Sequence, residues 1–263
     1  MTATIELDDL HKAFHGNPVL RGVDLEIREG ETFTILGGSG SGKSVCLKHM
    51  IGLLRPDRGR VEVLGVDVAT RAERELVDLR TEVSMVFQSA ALFDSLSVYE
   101  NVAYPLREHR RGWSEERLAE RVARSLESVG LAGVEAKMPS ELSGGMRKRV
   151  GVARGVALEP KVILYDEPTT GLDPANQRRI GELIAGLQRD LGVTSVIVTH
   201  ELELCFAISD RVALLRQGRI RAHGSADEMK RSEDEAVRAF LEGSRDDAQR
   251  DPEPDSPGDS AHA

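Results

Sequence analysis

The stretch GGSGSGKS, residues 37–44, gathers Gly37, Gly38, Gly40 and Gly42 with Ser39, Ser41 and Ser44 around one lysine, Lys43. Glycine weakens both helix and strand, so the run is a loop: a flexible linker or a cradle for an anion. Its neighbours favour the cradle. The apolar TFTILGG enters it as a strand. KSVCLKHMIGLL leaves it as a helix, with Val45, Leu47, Met50, Ile51 and Leu54 at helical spacing. Between a strand and a helix, G-x-x-x-x-G-K-[ST] is a phosphate-binding pattern. Glycines let successive N–H groups turn onto phosphate oxygens, and the helix start adds its positive dipole end. Lys43 then reaches the β- and γ-phosphates, and the Ser44 hydroxyl suits Mg²⁺, a hard cation that takes oxygen ligands.

Two further groups end apolar strands. VILYDE finishes on Asp166 and Glu167, and TSVIVTH finishes on His200. Ligands of open α/β sheets bind at the carboxyl ends of the strands. Asp166 there would hold the Mg²⁺ shell, Glu167 would polarise an attacking water, and His200 would touch a γ-phosphate. Taken singly, an acidic pair reads as a solvated turn and a lone histidine as a surface residue. Their strand-end positions single them out.

The elements that must position these residues follow from periodicity. Residues 4–10 and 19–27 alternate as edge or antiparallel strands do, and GRVEVLGVDV reads as another strand pair. Pro56 and Gly59 are expected to end the first helix. WSEERLAERVARSLESVGL is a helix with Leu118, Val122, Leu126 and Val129 inward, capped by Ser114, with Glu115 and Glu116 in its first turn and Gly130 as its stop. A second helix runs from about 144 to 157. The helix NQRRIGELIAGLQRD between KVILYDE and TSVIVTH marks parallel strands buried on both faces. DRVALLRQGRIRAHG is a strand hairpin, followed by a helix through Met229 to Leu241. The expected fold is α/β: a mostly parallel sheet, antiparallel strands on the N-terminal side, and a helical insertion at roughly 89–160.

Composition narrows the class. No apolar run reaches the ~18 residues needed to cross a bilayer. MTATIELDDLHKAF has no basic stretch followed by an apolar one, so the expectation is a cytosolic chain unless a partner holds it at a membrane. Cys46 and Cys205 lack metal-ligand companions and read as small buried hydrophobes. A net charge of −9 argues against broad nucleic-acid binding. The tail SRDDAQRDPEPDSPGDSAHA, residues 244–263, holds six acids and two arginines, and is expected to be disordered.

With these motifs in place, the chain resembles an ATP-binding-cassette ATPase over about residues 4–243. GGSGSGKS is similar to the Walker A loop and VILYDE to Walker B. LSGGM, residues 142–146, resembles the signature LSGGQ, and GLDP, residues 171–174, resembles the D-loop. Gln88 matches the Q-loop, His200 the switch histidine, and Phe14 the aromatic that stacks on adenine. The resemblance implies a P-loop NTPase core within residues 1–243, with an N-terminal antiparallel β subdomain, and it implies ATP and Mg²⁺. It implies head-to-tail pairing with a second copy, in which Ser143, Gly144 and Gly145 of one subunit bind the γ-phosphate held by the other. It adds Asp173 to the ATP-binding set, and Gln88 to the residues around Mg²⁺ and water. Met146 stands where the signature has glutamine, and Phe14 where tyrosine is commoner. Neither departure removes a catalytic group.

The segment FQSAALFDSLSVYENVAYPLREH, residues 87–109, resembles the surface that receives a transmembrane subunit. With GGMRKR, HGSADEM and VRAFLEG, it is similar to the ATPases of bacterial MCE-type (Mla) phospholipid transport systems. That likeness implies transmembrane permease subunits, an MCE lipid-binding protein, in some systems a STAS-domain protein, and a place on the cytoplasmic face of the inner membrane. The competing expectations are an importer ATPase for another substrate such as polar amino acids, a soluble cassette acting on nucleic acid or ribosomes, and a nucleotide-binding module without turnover. A single Walker A loop and the acidic charge disfavour the soluble cassette. Glu167 and His200 disfavour the inert module. RKR at 147–149 and REHRR at 107–111 read as solvated charges, with permease or anionic headgroups as the alternative. Leu92, Phe93 and Tyr104 read equally as core or partner surface, and Gly155 as a site of close packing.

Overall fold

The computed structural model describes residues 3–249. Its first sheet joins β1 (Ala3–Phe14), β2 (Asn17–Arg28), β4 (Arg58–Val63) and β5 (Val66–Asp67) in the order β2-β1-β4-β5, all antiparallel. Alternating burial along β2 matches the alternating sequence. Gly59 is needed where β4 crosses β1: its φ is +90°, and a Cβ there would strike the backbone carbonyls of Asp8 and Asp9.

The second sheet orders its strands β10-β9-β3-β8-β7-β6. Here β3 is Thr32–Leu36, β6 Val83–Val86, β7 Val162–Asp166, β8 Thr194–Thr199, β9 Arg211–Arg216 and β10 Arg219–Ser225. The five from β9 to β6 run parallel, and β10 closes an antiparallel hairpin on β9. Every residue of β3, β7 and β8 is buried, as two covered faces require. Successive β7 residues alternate between those faces. Leu164 packs with Leu47 and Met50 of α1 (Lys43–Met50) and with the first sheet. Ile163 and Tyr165 pack with Val150 of α5 (Gly144–Val156) and with Ile180 and Ile184 of α6 (Pro174–Leu191). Burial of each such aliphatic side chain stabilises by roughly 1.5–3 kcal/mol.

Helices α3 (Val98–His109), α4 (Glu115–Ser128) and α5 occupy the expected insertion, and Ser114 caps α4 as its sequence indicates. Their core is continuous with the sheet face under α6. Gly155 does permit close packing: a Cβ there would lie 3.2 Å from Ser84 Oγ and Val86 Cγ2 of β6.

Four expectations need correction. The first helix ends at Met50, well before Pro56. Gly52 takes φ +70°, its N–H donates to His49 O, and Leu53 N–H donates to Lys48 O, the paired bonds of a Schellman stop. The helix expected through Met229 to Leu241 is two: α8 (Ala226–Lys230) and α9 (Glu235–Gln249). Asp234 Oδ1 accepts from Ala236 N and Val237 N, starting α9 afresh. Helix α9 also takes in residues 244–249 of the tail expected to be disordered, and the rest of that tail lies outside the described residues. Finally, α2 (Glu73–Glu82), β6 and α7 (Leu202–Ile208) were not anticipated. Only Leu76 and Leu79 are buried in α2, too thin a stripe to register as periodic.

Candidate nucleotide site

Four neighbouring parallel strands deliver the motif residues to one edge. Gly37 follows β3, His200 follows β8, Asp166 ends β7, and Gln88 stands two residues beyond β6. Register fixes their level: Leu36 pairs with Thr199, Asp166 with Val198, and Val86 with Tyr165. This is the carboxyl edge, where α/β sheets bind ligands.

The glycine loop is held as a cradle. Gly37 N–H donates to Thr199 O, and Ser41 N–H to Gly38 O. The N–H groups of Gly40, Gly42, Lys43 and Ser44 have no acceptor among the described residues. Gly42 caps α1 at φ +108°, and a Cβ there would lie 2.7 Å from Leu20 Cδ2 of β2. A Cβ on Gly37 would collide with Leu215 O and come within 2.8 Å of Ser41 Oγ. That Ser41 hydroxyl is buried without a partner among the described residues. Unpaired donors around a helix start fit a polyphosphate.

Lys43 is only 6% exposed and donates to Gly37 O (2.8 Å) and Gly38 O (3.1 Å). Its Nζ is 3.2 Å from Glu167 Oε1. The other Glu167 oxygen, Oε2, lies 2.9 Å from His200 Nδ1 and accepts from Thr170 Oγ1 at 3.3 Å. Both oxygens of this buried carboxylate are thus held, as a buried charge requires. Glu167 sits at φ +46°, left-handed backbone that costs of order 1–3 kcal/mol and collects at functional sites. Its N–H donates to Val198 O, which holds it there. Ser44 Oγ donates to Asp166 Oδ1 at 2.7 Å, a pair of hard oxygen donors that fits Mg²⁺.

Further residues, given no part in the site by the sequence reading, lie beside this centre. Glu201 accepts from Thr169 Oγ1 (2.9 Å) and Gln177 Nε2 (3.3 Å), and burial pushes its carboxyl above the ordinary value. Lys148 Nζ donates to Glu167 O at 3.4 Å, and burial pulls its ammonium down. The solvated reading of RKR is therefore corrected for Lys148 and Arg149, which are half-buried, while Arg147 is exposed. Arg147 donates to Leu142 O, and Arg149 to Val129 O and Gly130 O, because α5 packs along these backbone segments. Adjacency to His200 was the available signal for Glu201. Lys148 carried none.

The remaining candidates form a second cluster. Ser143 caps α5 by accepting from Met146 N at 3.3 Å. A Cβ on Gly145 would lie 3.0 Å from Asn176 Oδ1, and Asn176 in turn donates to Asp173 Oδ2. Asp173 caps α6 through Ala175 N and Asn176 N. Gly144 N–H and Gly145 N–H have no acceptor among the described residues, and no hydrogen bond links this cluster to residues 37–44. Gln88 is exposed and makes no side-chain hydrogen bond there. Phe14 is 37% exposed at the end of β1, with Lys12 Nζ 5.7 Å from its ring centroid. Cys46 and Cys205 are buried, and burial pushes both thiols up to about 12.

Residues 20–170 match the profile of the ABC transporter family. The chain is 40% identical over 245 residues to a probable ribonucleotide transport ATP-binding protein, mkl, of Mycobacterium leprae, covering 93% of this chain and 70% of that protein. It is 39% identical over 224 residues to the intermembrane phospholipid transport ATP-binding protein MlaF of Haemophilus influenzae, covering 85% and 84%. A solved structure of the cassette MJ0796, a post-hydrolysis dimer bound to ADP and Pi, matches with TM-score 0.79 and 31% identity over 84% of this chain and 98% of that one. With a phosphate cradle, paired oxygen donors and a buried carboxylate on one sheet edge, this chain belongs to the ABC transporter family as an ATP-binding subunit that hydrolyses ATP with Mg²⁺.

Proposed function

We propose that this subunit powers an ABC transporter that moves phospholipid or a related lipid across the bacterial envelope. The observation that carries this reading is the 39% identity to MlaF across 84% of that protein. Glu167 acts as general base toward water, and His200 orients it and senses the γ-phosphate. Lys43 and the loop N–H groups hold the phosphates, while Ser44, Asp166 and Gln88 supply the Mg²⁺ ligands. Bound Mg²⁺ neutralises charge on the β- and γ-phosphates. Phe14 stacks on adenine. A second copy presents Ser143, Gly144, Gly145 and Asp173 across the interface. The lack of any hydrogen bond between those residues and the phosphate loop among the described residues supports this head-to-tail pairing.

Phe87, Phe93 and Tyr104 are 37%, 43% and 45% exposed, with the Phe93 and Tyr104 rings 5.0 Å apart. Such an apolar patch suits a permease helix. No helix among the described residues is long and apolar enough to cross a membrane, so the permease supplies the membrane attachment in this reading. An MCE protein, and in some systems a STAS-domain protein, completes the assembly.

A second reading, a transporter of another substrate, draws on the 40% identity to the ribonucleotide-transport relative. Capture of the tagged chain from its own membranes, with mass spectrometry of proteins and lipids, separates the two. Copurified permease, MCE protein and phospholipid are the expected result. A permease without an MCE protein or lipid overturns the lipid reading.

A further inference from the structure

We propose that Arg154 is a positioning residue that clamps the segment after Gln88 onto α5, so that Gln88 and the Ser143 turn move as one body. Its guanidinium donates to Ala90 O at 2.7 Å and to Ala91 O at 2.8 Å. These two alanines are consecutive left-handed residues, with φ of +63° and +46°. L-residues avoid that region, so the conformation persists only where neighbours hold it. The planar fork of arginine suits two adjacent carbonyls as a lysine does not. Among the described residues Arg154 has no carboxylate partner, so its charge is directed to these two oxygens.

The clamp is built for close contact. Ala90 is 1% exposed, and a Cβ on Gly151 of α5 would meet Ala90 Cβ at 3.0 Å. Ala90 N–H donates to Phe87 O, which closes a turn around Gln88. The far end is pinned as well: fully buried Asn101 accepts from Phe93 N at 2.8 Å and donates to Phe93 O at 3.1 Å. One helix thus carries the Ser143 turn at its start and the Gln88 segment three turns on. The inference rests on the ATPase reading above, in which Gln88 lies beside Mg²⁺ and water.

Steady-state ATPase of the full chain, measured against both ATP and Mg²⁺, tests it. Arg154→Met should lower kcat about tenfold, keep KM for ATP within about twofold, and raise the Mg²⁺ needed for half-maximal rate. Adding Ala90→Gly and Ala91→Gly should restore a third or more of the lost rate, since glycine adopts φ > 0 without a clamp. If Arg154→Met does not fold, Arg154→Lys keeps the stem and charge but not the fork, and should show an intermediate loss with the same glycine rescue. Wild-type kcat in either variant, a rise in KM alone, or a loss that the glycines do not relieve overturns the clamp. Absence of turnover in the wild-type chain overturns the ATPase reading itself.

Discussion

Two glycine-bearing helix starts, residues 37–44 leading into α1 and residues 143–145 opening α5, offer unpaired N–H groups, yet they are built differently. The first has no side-chain cap, and its start is left-handed Gly42. It adds a buried lysine, a hydroxyl on a carboxylate, and a second carboxylate, Glu167, held by lysine and histidine. The second has a serine cap and two open N–H groups, and its nearest cation, Arg147, donates to the backbone at Leu142 O. A loop with that much charge of its own can hold a polyphosphate unaided. A capped turn contributes only N–H groups and dipole, and so suits an anion already held by another surface.

The largest expected effect breaks the first site alone. Glu167→Gln should retain ATP binding and hydrolyse it about 10²-fold more slowly, as loss of a general base implies. Nucleotide binding and phosphate release measured side by side check this, and wild-type turnover would refute the assignment. Next comes a test of whether the two regions meet across subunits. Lys43→Ala and Gly144→Asp should each be inactive alone. Mixed in equal amounts, they should regain about a quarter of the wild-type rate, because half of the C₂ dimers then hold one intact composite site of two. No recovery in the mixture would place both regions in one chain's site.

A smaller effect sharpens the link between them. Lys148→Met removes the α5 ammonium beside Glu167 O and should cost roughly fivefold in kcat with ATP affinity retained, since one positioning contact is lost. An unchanged kcat would show that this contact does not matter. The smallest effect concerns the support beneath the loop. His49 of α1 is fully buried, its Nδ1 lies 2.7 Å from Val45 O, and burial lowers its pKa below the ordinary 6.5. The unfolded chain therefore binds the proton more readily. Stability is full above about pH 6.5 and falls as pH drops through the folded value, by at most about 1.4 kcal/mol per unit. Thermal melts at pH 7.5 and 5.5 should show a loss of a few degrees that His49→Gln reduces. Equal losses in both proteins would show that His49 is not the group responsible.

The phosphate loop, Asp166, Glu167, His200 and the α5 start were legible because each sits where a strong pattern changes: apolar strand to glycine, apolar strand to acid, serine cap to helix. The parallel order of β7 and β8 was legible for the same reason. Elements without such a boundary were not. Helix α2 buries two leucines, β6 is four residues long, and α7 has seven residues. The Schellman stop at Gly52 overrode a proline that looked like the obvious end. Lys148 reads as a surface charge and Arg154 draws no reading at all, because a long basic side chain on a helix gives no sign of the carbonyl it will meet.

By itself, then, the sequence determined the local chemistry: which backbone stretches stay free of regular structure, which strands are buried on both faces, and which side chains stand at their ends. Only the tertiary structure decided the strand order that sets Gly37, His200, Asp166 and Gln88 on one edge. It also decided the pairing of Lys43 and His200 with one carboxylate, and the left-handed backbone at Glu167, Ala90 and Ala91. Local periodicity records how each segment meets water. Neighbour choice and strained backbone depend on contacts between residues far apart in the chain, which no local pattern encodes.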